Sequence, residues 1–267
     1  MDTGYSADAL PTTGHQWGRD FGVPSYVEQG NKYPLREGRK ICQTFCITSV
    51  AGTRGLKVED WHKNLRKKQK AKIKATFEGR GYEYSEIENA TREEVTNKLT
   101  QYCTDGEQSK EIDRLVVWFL TYRTKDSSGS RLWAYDKAIT LKDITEPFVG
   151  DACKVLVGKP KIFFIDAPYV GFTTEQQLAH AARPAPPVKC YLIPTTADFL
   201  LSMSPMRCGD TKYVEAVCQE VEQQAKTTND DDFTLRLHSV ASRVVDEDGD
   251  TTSTYISTLT RSLHLCC

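Results

Sequence analysis

The 267-residue chain contains no apolar run long enough to span a bilayer, and no signal-peptide core follows its opening residues MDTGYSADALPTTG. A cytosolic protein is the expectation. Charge of one sign is lacking too: 35 Lys and Arg face 36 Asp and Glu, leaving a formal net charge of -1. No global field therefore draws the chain to nucleic acid or to an anionic membrane, and any such binding needs a local patch. Glycine-rich phosphate loops, aromatic stacking motifs and internal repeats are absent. The acidic stretch DEDGD at 246–250 lacks the spacing and terminal Glu of an EF-hand loop and reads as a solvated turn. Cysteine is not scarce, but the nine are an odd number without a secretory signal, which points to reduced thiols. Cys42 and Cys46 are four apart with no second Cys/His pair after them, so they read as core residues on one face of a strand rather than zinc ligands. The terminal Cys266-Cys267 pair lacks the arrangement for prenylation. No metal or cofactor is implied.

A hydrophobic content of 39% with 27% charged residues suits one sizeable globular core. Residues 1–35 are rich in Gly, Pro, Ser and Thr without periodicity and read as a flexible tail, with the core beginning at Ile41. Apolar runs at Ile41–Val50, Leu115–Leu120, Ile162–Ile165 and Cys190–Ile193 read as strands, with amphipathic segments between them. In ATREEVTNKLTQYC, Thr91 followed by Glu94 forms a capping-box pattern, after which Val95, Leu99, Tyr102 and Cys103 recur at helical spacing. Tyr213, Val214, Val217, Cys218 and Val221 make a second helical stripe, and Phe233, Leu237, Val240, Ala241 and Val244 a third. The alternation predicts an α/β fold with a mainly parallel, helix-covered sheet. A proline-rich stretch at 173–188 reads as an extended connector between residues 36–172 and 189–267.

Several collinear stretches carry a resemblance: ATREEV before a helix, ITLKDITEPFVGDACKVLVGKPKIFF before a turn, IPTTADFLLSMS after the connector, and YISTLTRSL near the end. Over roughly residues 31–267 the chain resembles the caspase domain of cysteine proteases. The resemblance implies a six-stranded, mostly parallel sheet with helices on both faces. The parts before and after the connector would be large-subunit-like and small-subunit-like halves of one domain.

The chemistry of that family is missing where the resemblance places it. Caspases follow this strand with Gln-Ala-Cys-Arg-Gly, whose cysteine attacks the peptide carbonyl, and carry a histidine about 50 residues upstream. Here the turn reads Asp166-Ala167-Pro168-Tyr169-Val170, and Tyr122 stands 46 residues before Pro168, in place of the histidine. Proline has no nucleophilic atom, and a phenol with an ordinary pKa near 10 is a poor base at neutral pH. The family pocket grips an aspartate side chain with two arginines and the glutamine of the turn. Asp166 takes the glutamine position and would repel an acidic side chain, an ungapped correspondence puts Lys63 at the first arginine, and Arg207 falls near the second.

The chain therefore reads as a pseudocaspase, expected to regulate an active caspase paralogue by heterodimerisation, as activator or decoy, in apoptosis or immune signalling. A homodimer is the competing form. Residues Thr254, Tyr255, Ile256, Ser257, Thr258, Leu259 and Thr260 are the expected interface, as an unblocked edge strand. Two other readings stand beside this one. Cys190 could be a nucleophile of a different peptidase, although it also fits a buried strand thiol. The run KNLRKKQKAKIK carries seven Lys or Arg in residues 63–74 and could be a basic binding patch, although it equally fits the solvated face of a helix.

Overall fold

The computed structural model describes residues 32–34, 38–51, 60–104, 106, 111–126, 129–169, 197–205, 211–226, 231–245 and 252–265. The main sheet is built from β1 (Arg39–Cys46), β2 (Tyr82–Glu88), β3 (Ile112–Leu120), β7 (Lys161–Asp166), β8 (Phe199–Met203) and β9 (Thr254–Ser257), in the order β2-β1-β3-β7-β8-β9. Five strands run parallel and β9 closes one edge antiparallel to β8. A three-stranded antiparallel sheet of β4 (Arg123–Asp126), β5 (Gly129–Trp133) and β6 (Ala138–Ile139) follows β3. The helices are α1 (Asp60–Glu78), α2 (Arg92–Gln101), α3 (Leu141–Thr145), α4 (Lys212–Gln224) and α5 (Phe233–Arg243), with 3-10 segments at Glu146–Phe148 and Gly150–Leu156.

The continuous apolar runs follow from a sheet covered on both faces. Alternate residues of each strand feed opposite cores. Cys42, Cys46, Trp118, Leu120, Ile162 and Phe164 pack toward α1, α4 and α5 through Ile73, Phe77, Tyr213, Val217 and Phe233. Ile41, Phe45, Val117, Phe119, Phe163 and Ile165 pack toward α2 and α3 through Val95, Leu99 and Ile144. The first core is organised by Trp118, stacked on Phe164 with centroids 4.6 Å apart and meeting Phe77 and Tyr213 edge-on. All three helical stripes read from the sequence are inward-facing, except that Ala241 is only half-buried. Cys42 and Cys46 lie in the core as read.

Three boundaries differ from the sequence reading. β1 ends at Cys46 rather than Val50, and its first two residues precede Ile41. Tyr33, inside the segment read as a tail, is buried: its N–H donates to Ser262 O at 3.1 Å and its hydroxyl to Asp198 Oδ1 at 2.6 Å. The strand after the connector is Phe199–Met203, whereas Cys190–Ile193 lie outside the described residues, as do the connector and the DEDGD stretch. Parts of the chain on both sides of that connector share one sheet, since β7 and β8 are hydrogen-bonded neighbours. No described helix is long and apolar enough to cross a membrane.

Candidate functional site

The register of the two central strands decides which residues meet at their carboxyl ends, where ligand sites of open α/β sheets form. Leu120 of β3 lies opposite Asp166 of β7. The next residues therefore emerge side by side: Thr121 N–H donates to Asp166 O at 2.9 Å, and Arg123 N–H donates to Pro168 O at 3.0 Å. Tyr122 and Pro168 are thus brought to one pole of the sheet, as the sequence reading placed them. Both are buried. Pro168 offers this pole a carbonyl and no N–H. The Tyr122 ring lies under the Arg66 guanidinium, 5.3 Å from carbon to centroid. Burial raises the Tyr122 phenol above its ordinary pKa against the pull of nearby Arg66, so it holds its proton still more firmly at neutral pH.

Asp166 does not present its charge outward. Its Oδ2 accepts from Arg66 Nη1 at 2.7 Å and from Gln69 Nε2 at 2.8 Å, and Arg66 and Asp166 are 0% and 1% exposed. Arg66 also donates to Gln69 Oε1 at 2.8 Å and to the Thr121 carbonyl. The expectation that Asp166 would repel an acidic ligand is therefore corrected: a buried carboxylate bound by an arginine is neutralised within the protein. Lys63 lies exposed on α1, and the α1 cation that reaches the turn is Arg66, one helical turn further on.

A signal for Arg66 exists in the sequence. Arg66, Gln69, Ile73, Thr76 and Phe77 follow one another at helical spacing and all are buried. Arg66 is moreover the one arginine among six lysines in the 63–74 run, and its planar fork suits a buried carboxylate better than an ammonium does. The ungapped correspondence passed over that stripe.

A second buried arginine fixes the turn from the other side. Arg123 Nε donates to Ala167 O at 2.6 Å and its Nη2 to Ser204 O at 2.7 Å, while Ala167 N–H donates to Ser204 Oγ at 3.1 Å. The ends of β3, β7 and β8 are thus tied into one buried polar knot. Tyr213 of α4 extends it, donating to Ser202 Oγ at 2.9 Å.

The remaining sequence candidates divide as follows. Arg207 and Cys190 lie outside the described residues. In the basic run, Lys70 pairs with Glu86 and Glu88 at 3.1 and 3.0 Å, and Lys72 pairs with Glu222 at 2.7 Å. Much of that charge is matched by the chain's own carboxylates. Thr254–Ser257 form the edge strand expected at the interface; just past it Thr258 N–H still donates to Phe199 O of β8 at 2.8 Å, and Thr260 Oγ1 donates to Asp198 Oδ1 at 2.6 Å. Among the described residues no cluster of His, Cys, Asp and Glu is placed to hold a metal ion.

Residues 58–267 match the profile of the caspase domain family. Caspase-3 of Xenopus laevis is 31% identical over 159 residues, which cover 57% of this chain and 54% of that protein. Caspase-6 of Mus musculus is 25% identical over 238 residues, covering 77% of this chain and 84% of its own length. The chain thus spans about half the length of the first of these relatives and most of the second. A solved pro-sf-caspase-1 superposes with a TM-score of 0.72 at 21% identity, covering 91% of this chain and 96% of that one. A crystal structure of caspase-1 from Spodoptera frugiperda gives a TM-score of 0.66 at the same 21% identity, over 90% and 95% of the two chains. At that identity the likeness carries the six-stranded, helix-flanked fold.

Proposed function

The chain belongs to the caspase domain family, and from that premise we propose that it is a catalytically empty member that regulates an active caspase paralogue by contact. The observation that carries this reading is the pole of the sheet where β3 and β7 end. Where the resemblance puts the nucleophile stands Pro168 and where it puts the base stands Tyr122, and the Arg123 N–H to Pro168 carbonyl bond ties the two segments together. Neither can perform acyl transfer: one has no attacking atom and the other keeps its proton at neutral pH. Of the two arginines that reach this turn, Arg66 is already bound to Asp166 and Arg123 to the backbone carbonyls of Ala167 and Ser204.

A subunit without chemistry can act on a neighbour only through differential contact with that neighbour's states. The edge strand β9 supplies a surface for it. On one side it pairs with β8, and among the described residues it ends the order of the sheet, so its other side presents backbone donors and acceptors. Tyr255 and Ile256 are half-buried, while Thr254 and Ser257 are exposed.

The test mixes the purified chain with candidate active paralogues and follows hydrolysis of a peptide with aspartate at the cleaved position. Alone, the chain should give no turnover, and Pro168→Cys should not restore it, because groups that act as a unit do not recover singly. With its partner it should raise or lower the partner's rate. Thr254→Lys with Ser257→Lys should abolish that effect while the circular dichroism of the chain is unchanged. Turnover by the chain alone would instead support an ordinary peptidase using residues outside this turn.

A further inference from the structure

The sheet has two edges, and the proposed function uses one of them. The other is β2, which pairs with β1 on one side and, among the described residues, ends the sheet opposite β9. Beside it an open groove of about 430 Å³ runs between β2 and α1. Its helix wall is Lys67, Lys70, Ala71 and Lys74, and its strand wall is Tyr84, Ser85 and Glu86. Helical periodicity puts those four α1 positions on one face, and Ala71, exposed and short, leaves the space between the lysines open.

Three ammoniums to one carboxylate line the groove, so it suits an anionic occupant. The glutamates of β2 are all engaged by cations of the chain itself. Glu83 accepts from Arg39 Nε and Nη2 at 2.7 and 2.6 Å, and Glu86 and Glu88 accept from Lys70 at 3.1 and 3.0 Å. Lys67 and Lys74 face the groove beyond those pairs. Lys74 meets Glu78 only at 3.9 Å, with both side chains about half exposed, a contact too loose to hold the ammonium. That ammonium stands 5.9 Å from the centroid of the Tyr84 ring, over the strand wall. Among the described residues Lys67 is exposed and forms no ion pair.

We propose that this groove docks an extended acidic segment of another protein, which adds to β2 as a further strand and lays carboxylates on Lys67 and Lys74. Two features of the groove choose that occupant. One wall is a sheet edge, whose main-chain N–H and C=O groups match those of an incoming strand and have no counterpart in a nucleic-acid backbone. The other carries its ammoniums over about 10 Å of helix, a span that accepts two acidic side chains at alternate strand positions, about 7 Å apart. The site is independent of the regulatory reading, since β2 and β9 are opposite edges of the sheet.

The experiment titrates the full chain against a fluorescein-labelled octapeptide that alternates threonine with glutamate, reading anisotropy and, in the same mixture, hydrogen exchange of β2. The expected result is saturable binding that weakens with added salt and slows exchange at the Tyr82–Glu88 amides. Lys67→Glu with Lys74→Glu should weaken binding about tenfold or more. Ala71→Phe, which fills the groove without changing its charge, should weaken it as well. All three positions are exposed, so circular dichroism of these variants should match that of the unaltered chain. Where a variant does misfold, titration of the unaltered chain still decides. Absence of binding, equal binding of an octapeptide that alternates threonine with lysine, or binding that leaves the β2 amides unprotected overturns the proposal. So does decauridylate that displaces the peptide and binds more tightly, which would assign the groove to nucleic acid.

Discussion

Arg66 and Asp166 form an ion pair withdrawn from water on both sides, a kind of contact whose desolvation cost rivals its attraction. Two consequences can be separated. Removing one partner strands the other charge: Asp166→Leu or Arg66→Met alone should cost about 3–5 kcal/mol. Removing both, as Arg66→Met with Asp166→Leu, should cost clearly less than the sum of the single changes, because no unpaired charge is left buried. Denaturant unfolding of the four proteins measures the coupling. Additive losses would mean that the carboxylate finds compensation elsewhere and that the pair does not hold the turn. At this scale the sequence was legible at Tyr122 and Pro168, since strand register alone carries them to one pole. It was not legible at Asp166, because a one-dimensional correspondence gives a residue its position and not its partner. Whether a carboxylate faces solvent or an arginine a hundred residues earlier is settled only by packing.

Helix starts are where local sequence speaks most directly. Thr91 and Glu94 form the capping box read in advance, and Thr140 with Asp143 forms a second, unread, at the start of α3. The first was visible because Glu three residues after Thr is the familiar pattern; the second uses the shorter Asp to the same end. Both carboxylates are held below their ordinary pKa. Glu94 is lowered by its bonds from the Thr91 backbone and hydroxyl. For Asp143 burial opposes, but the Thr140 bonds and Arg92 prevail. A depressed folded pKa gives stability that is complete above the unfolded value, about 4.3 for Glu and 3.9 for Asp, and is lost as pH falls through the folded pKa. Hydrogen exchange should therefore show the first turns of α2 and α3 losing protection together below that range. Unchanged protection at the Glu94 and Asp143 amides through this fall would show that the caps do not depend on charge. The strand ends were less legible. Thr258 and Thr260 continue the alternation of TYISTLT, yet the regular strand stops at Ser257, where the Thr258 hydroxyl takes the Phe199 N–H and the Thr260 hydroxyl bonds Asp198, a competition between side chain and strand that periodicity does not encode.

On the scale of the whole molecule, β7 and β8 are parallel neighbours joined through a connector in which no aspartate occurs between Ala167 and Ala197. The flanking aspartates are both occupied. Asp166 is held by Arg66 and Gln69, and Asp198 accepts from Tyr33 and Thr260 while its backbone sits at φ 71°. A protease must draw its substrate out extended, and doing so at either residue would break buried hydrogen bonds at a strand end. Incubation with an active caspase, followed by intact mass measurement, should therefore leave the chain in one piece across residues 166–198. A cut inside 173–188 would mean that a protease of different side-chain preference processes the chain. A cut after Asp166 or Asp198 would mean that these strand ends open far more readily than their hydrogen bonding implies. Tyr33→Phe distinguishes the last case: it deletes one bond to Asp198, so cutting after Asp198 should accelerate in that variant if local opening is the route, and stay unchanged if it is not. An uncut chain also constrains regulation. Loops tethered at both ends rearrange less on activation than cleaved ones, so under the proposed function the uncleaved protein acts through a surface already formed, and β9, the edge of the sheet among the described residues, is such a surface.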